Sequence, residues 1–157
     1  MNMLKLFKTC KGKPIEILSY TLKQIQDNPD TKVYIGGDSK LKSDGTIVYY
    51  TVVAYRIGTR GVHYVYNKDV VTRKLTKWQR LMGEIERIMT FATWFLENSP
   101  VKLFAIDFDL NQDKRYYSNK LVNLATGWGG SLGVTVYTKP DEVVASKAAD
   151  HLTNRGQ

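Results

Sequence analysis

Hydrophobic and polar positions follow two different periods along the chain. Three runs rich in β-branched and aromatic residues occupy positions 32–37, 46–57 and 62–71. Turn signals separate them, because "KSDGT" at 42–46 contains the Asp-Gly pair that favours a hairpin and "TRG" follows at 59–61. This pattern predicts three strands joined by tight turns as an antiparallel meander.

Helical spacing dominates most of the remaining chain. Apolar residues recur at positions 81, 85, 88, 92 and 95, which predicts a long amphipathic helix over 77–98. A strand at 101–109, a helix at 118–128, a strand at 133–139 and a helix at 140–154 follow. A helix over 15–27, ended by the Asn-Pro pair at 28–29, precedes the meander.

This order of elements predicts an α/β fold with a five-stranded mixed sheet. Strands 1–3 form the antiparallel meander, strands 4 and 5 lie parallel to the first strand through right-handed crossovers, and helices cover both faces. We expect a single domain over 1–157, in which residues 1–30 are an N-terminal extension with a helix packed on the domain.

Composition narrows the choice of partners and compartment. No apolar run approaches the roughly 20 residues that a membrane-spanning helix needs, so no membrane partner is expected. The single cysteine, Cys10, cannot form an internal disulfide, which fits a cytoplasmic protein. Lysine and arginine outnumber aspartate and glutamate by 23 to 15, giving a net charge of +8. Such an excess favours a polyanionic partner such as nucleic acid.

Six of the ten tyrosines fall in the three predicted strands of the meander. Aromatic side chains beside basic residues can stack on unpaired bases. Aromatic residues are also common in sheets for reasons of packing alone, and this is the favoured explanation.

Four acidic residues stand out by their positions in the predicted elements. Asp38 ends the first predicted strand, Asp107 shares a face with the apolar residues of the fourth strand, and Asp150 lies in the last helix. Glu84 borders the apolar stripe of the long helix, whereas Glu86 is rotated about 200° from it and is expected to face water.

An inward carboxylate needs a partner, because a buried unpaired charge is costly. Lys40, Arg80 and Lys147 offer separate salt bridges, and this explanation suits any one acid. Four acids at the ends of adjacent elements repel one another unless cations hold them. Hard divalent cations such as Mg²⁺ prefer oxygen ligands. Two such ions about 4 Å apart can activate water and stabilise the leaving oxygen of a phosphodiester.

Four segments resemble a known family: "YIGGDSK", "RLMGE", "AIDFDLN" and, most specifically, "KPDEVVASKAADHLT". Together with the strand-helix order they resemble the YkuK-like family of the ribonuclease H-like superfamily, over about residues 10–155. The resemblance implies a ribonuclease H-like fold. It also implies a metal-dependent nuclease that hydrolyses the phosphodiester bonds of RNA, an RNA–DNA hybrid or DNA with two ions of Mg²⁺ or Mn²⁺.

The resemblance also assigns roles to individual residues. The catalytic residues and metal ligands that it implies are Asp38, Glu84, Asp107 and Asp150. Asp109, on the same strand face as Asp107, is the alternate ligand. Asp141 is a rival for the fourth position, although its place before the last helix is more typical of a helix cap.

Two departures favour an alternative function, a non-catalytic ribonuclease H-like module that binds nucleic acid. The segment before the last helix lacks the histidine that many ribonucleases H carry there, and Ser39 and Lys40 replace the glycine that usually follows the first aspartate. Lys40 is expected to contact a phosphate or to pair with Asp38. The other candidate contacts with nucleic acid are Lys114, Arg115 and Lys147.

Overall fold

The computed structural model describes residues 6–111, 118–139 and 144–155. These ranges contain seven strands and four helices. In chain order they are β1 (Phe7–Thr9), β2 (Pro14–Ile15), α1 (Ile17–Asp27), β3 (Thr31–Leu41), β4 (Ile47–Ile57), β5 (Val62–Val71), α2 (Lys77–Asn98), β6 (Ala105–Asn111), α3 (Ser118–Ser131), β7 (Val136–Lys139) and α4 (Ala145–Arg155). None of the described helices is long and apolar enough to cross a membrane.

All seven strands belong to one mixed sheet in the order β2-β1-β5-β4-β3-β6-β7. The predicted meander is confirmed, because β3, β4 and β5 pair antiparallel. The predicted parallel strands are also confirmed, since β6 pairs parallel with both β3 and β7. The prediction of five strands was wrong. It missed β1 and β2, which are three and two residues long and therefore too short to show an alternating pattern.

The long helix α2 begins where its sequence supplies a capping box. The Thr76 hydroxyl accepts a hydrogen bond from the Gln79 backbone N–H at 3.1 Å, and the Thr76 N–H donates to the Gln79 side chain at 2.9 Å. These contacts satisfy two groups that a helix start otherwise leaves without partners. The face formed by Ile85, Ile88 and Phe95 is then buried.

Helices cover both faces of the sheet, and each face has its own apolar core. On one face, α1, α2 and α3 pack on the larger cluster, to which β3 contributes Val33 and Ile35. On the other face, α4 packs on a smaller cluster that includes Tyr34 and Ala149. Because side chains alternate along a strand, successive residues of β3 face α2 and α4 in turn.

Glycine at position 36 lets α4 lie close to the sheet. A Cβ atom at Gly36 would stand 2.8 Å from the Asp107 carbonyl oxygen, 2.8 Å from its Oδ1 and 2.9 Å from the Ala145 Cβ. The carbonyl oxygen and the Cβ atom cannot rotate away, and Oδ1 is held by the Ser146 N–H at 2.7 Å. The approach of α4 to β3 and β6 therefore requires glycine here.

We predict that Gly36→Ala lowers the free energy of unfolding by about 1–3 kcal/mol, the usual cost of overpacking. The matched control is Gly127→Ala in α3, where the new Cβ atom meets nothing within 4 Å. Alanine there should stabilise the helix by about 0.5–1 kcal/mol. Urea unfolding of both variants and of the wild type measures these changes in the free energy of unfolding. A Gly36→Ala variant as stable as the wild type would contradict the close packing.

Candidate functional site around helix α4

Asp38 lies within β3 and not at its end, which corrects the expectation from the sequence. The strand continues to Leu41, which pairs with Ile47 across the hairpin. The turn is made by Asp44 and Gly45, where Gly45 adopts a φ of 89° and the Thr46 N–H donates to Asp44 Oδ1 at 2.9 Å. Asp38 is therefore a strand residue whose side chain faces α4.

A hydroxyl group of α4 contacts Asp38. Thr153 Oγ1 is 3.4 Å from Asp38 Oδ2, and it is 2.8 Å from the Asp150 carbonyl oxygen in the same helix. Thr153 is buried, whereas the side chain of Asp38 is partly exposed and that of Asp150 is exposed. The structure thus joins Asp38 to the turn of α4 that carries Asp150, through the backbone of Asp150 and not through its carboxylate.

The strand register places Asp107 beside Gly36. β6 pairs with β3 through Tyr34↔Ala105 and Ile35↔Ile106. The next position, 107, lies against Gly36, since a Cβ atom at Gly36 would stand 2.8 Å from the Asp107 carbonyl oxygen. Asp109, the alternate predicted ligand, follows Phe108, where the register between β6 and β7 shifts, and its role as a ligand stays a prediction.

Asp107 is fully buried and holds the start of α4. Its Oδ2 accepts the backbone N–H groups of Val144 at 3.0 Å and Ala145 at 2.9 Å, and its Oδ1 accepts that of Ser146 at 2.7 Å. The first N–H groups of a helix have no partner inside the helix, so this carboxylate supplies one. Burial raises the pKa of Asp107 above its usual range, while the bonds from Ser146, Ala145 and Val144 act in the opposite direction.

Glu84 lies on the other side of the sheet. It is buried, as its helical spacing predicts, and Glu86 is exposed. The Ser39 hydroxyl donates a hydrogen bond to Glu84 Oε2. Arg80 Nη1 is 3.9 Å from the same oxygen and donates to Ser39 Oγ at 2.9 Å. Because neighbouring strand residues point to opposite faces, Ser39 directs this network toward α2 while Asp38 faces α4.

The four acids are therefore distributed over two faces and three kinds of environment. Asp38 contacts Thr153 of α4, Asp150 is exposed on the same helix, Asp107 caps α4, and Glu84 belongs to the network on the α2 face. Across the described ranges, no group of three or more His, Cys, Asp or Glu side chains is arranged to hold a metal ion. The four-acid metal site stays a prediction.

Three lysines gather next to Asp38, and the sequence singled out only one of them. Asp38 pairs with Tyr50, and Tyr50 pairs with Lys68 on the next strand. A small cavity on this face is lined by Lys40, Lys42, Val48, Tyr50, Lys68 and Thr153. Lys68 could be recognised only from the strand register, since 30 positions of chain separate it from Asp38.

Lys147 lies on the opposite flank of α4 from the contacts with Asp107 and Asp38. It lines a cavity of about 510 Å³ together with Arg56, Tyr64 and His151. Of the other predicted contacts with nucleic acid, Lys40 stands in the lysine group beside Asp38. Lys114 and Arg115, like the rival acid Asp141, lie outside the described residues.

We predict that Asp107→Ala lowers the free energy of unfolding by about 2–4 kcal/mol, because it leaves three buried N–H groups without an acceptor. Hydrogen exchange should accelerate at the amides of residues 144–146. Asp44→Ala is the matched control, since Asp44 also accepts backbone and side-chain bonds, but in an exposed turn. Unchanged exchange at residues 144–146 would contradict the capping role of Asp107.

Comparison with known proteins identifies the family. A family model described as ribonuclease H-like matches residues 15–154, and the YkuK-like resemblance of the sequence is consistent with it. No curated protein and no solved structure gave a significant match. The mixed sheet and four helices agree with a ribonuclease H-like fold, which is a nucleic-acid-related fold. The match covers most of the chain, and this protein therefore belongs to the ribonuclease H-like family.

Proposed function

We propose that this chain is a metal-dependent nuclease that hydrolyses phosphodiester bonds of nucleic acid on the α4 face of its sheet. One observation carries the proposal: Asp38 and the turn of α4 that bears Asp150 meet at Thr153, directly beside the lysine group. Carboxylates for a cation and ammonium groups for a phosphate backbone are thus neighbours on one surface. The family match supports the same reading.

The carboxylates at this surface fit a hard divalent cation. Asp38 is partly exposed and Asp150 is exposed, so both can offer oxygens to Mg²⁺ or Mn²⁺, and Asp109 stays the alternate ligand that the family resemblance implies. Asp107 and Glu84 fit less well, because hydrogen bonds within the protein already engage their oxygens. When bound, one or two such ions would activate a water molecule and stabilise the leaving oxygen.

The protein's own groups would bind and orient the substrate. Lys40, Lys42 and Lys68 would neutralise phosphates next to the scissile bond, as exposed ammonium groups do along a nucleic-acid backbone. Thr153 would orient the Asp38 carboxylate through the contact between their oxygens. Asp107 would act on the reaction only indirectly, by holding the start of the helix that carries Asp150.

A second candidate function is binding without hydrolysis. It is favoured by the same hydrogen bonds at Asp107 and Glu84, which leave the family's implied ligand set only partly open to a cation. In that case the lysine group would still bind nucleic acid, and Asp38 would have no catalytic role.

We predict that Asp38→Asn and Asp150→Asn each reduce the rate of cleavage at least about 100-fold, since even residues that only support metal ligands cost 10–100-fold when changed. The assay uses labelled single-stranded RNA, an RNA–DNA hybrid and DNA, each with Mg²⁺ or Mn²⁺. Glu86→Gln is the control, because Glu86 is exposed and lies on the opposite side of the sheet. It should cleave at the wild-type rate.

The outcomes separate the two candidates. Cleavage that persists in Asp38→Asn would exclude this site as the catalytic one. If the wild type does not cleave, does not bind Mn²⁺ in calorimetric titration, and still binds the oligonucleotides, the binding module is the correct function. Glu84→Gln adds a further distinction, because loss of cleavage without loss of stability would bring Glu84 into the catalytic set.

A further inference from the structure

We propose that the groove between α4 and β5 binds a single strand of nucleic acid. This inference deepens the proposed function, on which its link to hydrolysis rests, by naming an unpaired strand as the substrate. The groove runs along β5 from the lysine group beside Asp38 to a second basic cluster, formed by Arg56, Lys147 and His151.

The floor of the groove is one face of β5. Alternation along the strand directs Val62, Tyr64, Tyr66 and Lys68 to the face that α4 covers. Tyr64 and Tyr66 pack at the border of the α4 core and are only partly buried, and Val62 is 46% exposed. Helix α4 thus covers β3 and β4 but leaves much of this face of β5 accessible.

One end of the groove is an open basic cavity. Its volume is about 510 Å³, which lies within the usual range of ligand sites. Arg56 and Tyr64 belong to neighbouring strands, and Lys147 and His151 form the wall on α4. An arginine, a lysine and a histidine therefore line the same cavity as a tyrosine that is only partly buried, an arrangement that suits a phosphate next to a stacked base.

The other end reaches the candidate catalytic surface. The rings of Tyr50 and Tyr66 lie edge to face with their centroids 5.8 Å apart, so aromatic side chains continue from the groove to the lysine cavity. From Val62 to Lys68 the strand spans roughly 20 Å, at about 3.3 Å per residue. Cations stand at both ends of this distance and tyrosines lie between them.

The chemistry of the groove favours a single strand over a duplex. Tyrosine faces contact bases only when the bases are unpaired, whereas a duplex presents its phosphates and groove edges. The positive charge at both ends, on a chain with a net charge of +8, complements a phosphate backbone. Tyrosines in strands are explained by sheet packing alone, but packing does not explain why the partly exposed pair stands between two basic clusters.

We predict that Lys147→Gln and Lys68→Gln each weaken binding of a 12-nucleotide single strand about three- to tenfold and reduce the slope of log K against log salt by about 0.7. The measurement is fluorescence anisotropy in EDTA, so that no turnover occurs, with DNA and RNA strands in separate arms. Both lysines are exposed, and loss of fold is not expected. Lys23→Gln is the matched control, because Lys23 is an exposed lysine on α1, which packs on the other face of the sheet.

A second measurement locates the strand without changing the protein. Ultraviolet cross-linking of a 5-bromouracil strand should label the tryptic peptide 61–68, which contains both Tyr64 and Tyr66. A duplex of the same sequence should bind at least tenfold more weakly than the single strand. The groove would be overturned if the duplex bound as tightly as the single strand, or if the cross-links were confined to other peptides. It would also be overturned if polyglutamate, a polyanion without bases, displaced the labelled strand as well as an unlabelled strand does.

Strand binding in the groove and cleavage at Asp38 can be tested independently. Asp38→Asn should bind the strand in EDTA at least as tightly as the wild type, while losing cleavage. If Lys147→Gln binds as the wild type does while cleavage still depends on Asp38, the groove is wrong and the nuclease stands. If the groove variants fail to bind and Asp38→Asn cleaves normally, the groove stands and the catalytic site lies elsewhere.

Discussion

The buried carboxylate of Asp107, hydrogen-bonded to the first N–H groups of α4, is the interaction on which the rest of this face depends. A buried carboxylate without hydrogen bonds would be unfavourable, and so would three buried N–H groups without an acceptor. The hydrogen bonds between them remove both costs. Because Gly36 has no side chain, the helix can lie against the sheet at this point. The same contact determines where Thr153 and Asp150 stand relative to Asp38.

Strand β3 separates two kinds of polar chemistry. Ser39 faces α2, where the hydroxyl, Glu84 and Arg80 form a largely buried network that links the strand to the long helix. Asp38 faces α4, where it contacts the Thr153 hydroxyl and stands beside the lysine group. Ser39 thus contributes to the packing of α2 on one face of the sheet, and its neighbour Asp38 contributes, in our proposal, to phosphodiester hydrolysis on the other face. The proposed groove extends that second surface along β5.

Much of the fold could be predicted from the period of the apolar residues. Spacing within single elements predicted the helices and the inward position of Glu84, while turn signals and the order of the elements predicted the meander and the two later parallel strands. Spacing did not reveal β1 and β2, which are too short, or the full length of α3. That helix continues to Ser131 through a glycine-rich segment. The glycine at 129 is required by the close contact with β7, because a Cβ atom there would stand 2.1 Å from Val136 Cγ2.

The sequence by itself determined which residues are acidic, that Glu84 and Asp107 lie on inward faces and that the chain is basic, since each of these is a property of composition or of a single element. Only the tertiary structure decided what each acid contacts. Asp107 follows Ala105 and Ile106, which pair with Tyr34 and Ile35, and this register puts it beside Gly36 and the start of α4. Local periodicity contains no information about pairing between distant strands, and for the same reason it could not bring Lys68 to Asp38 or Lys147 to Arg56.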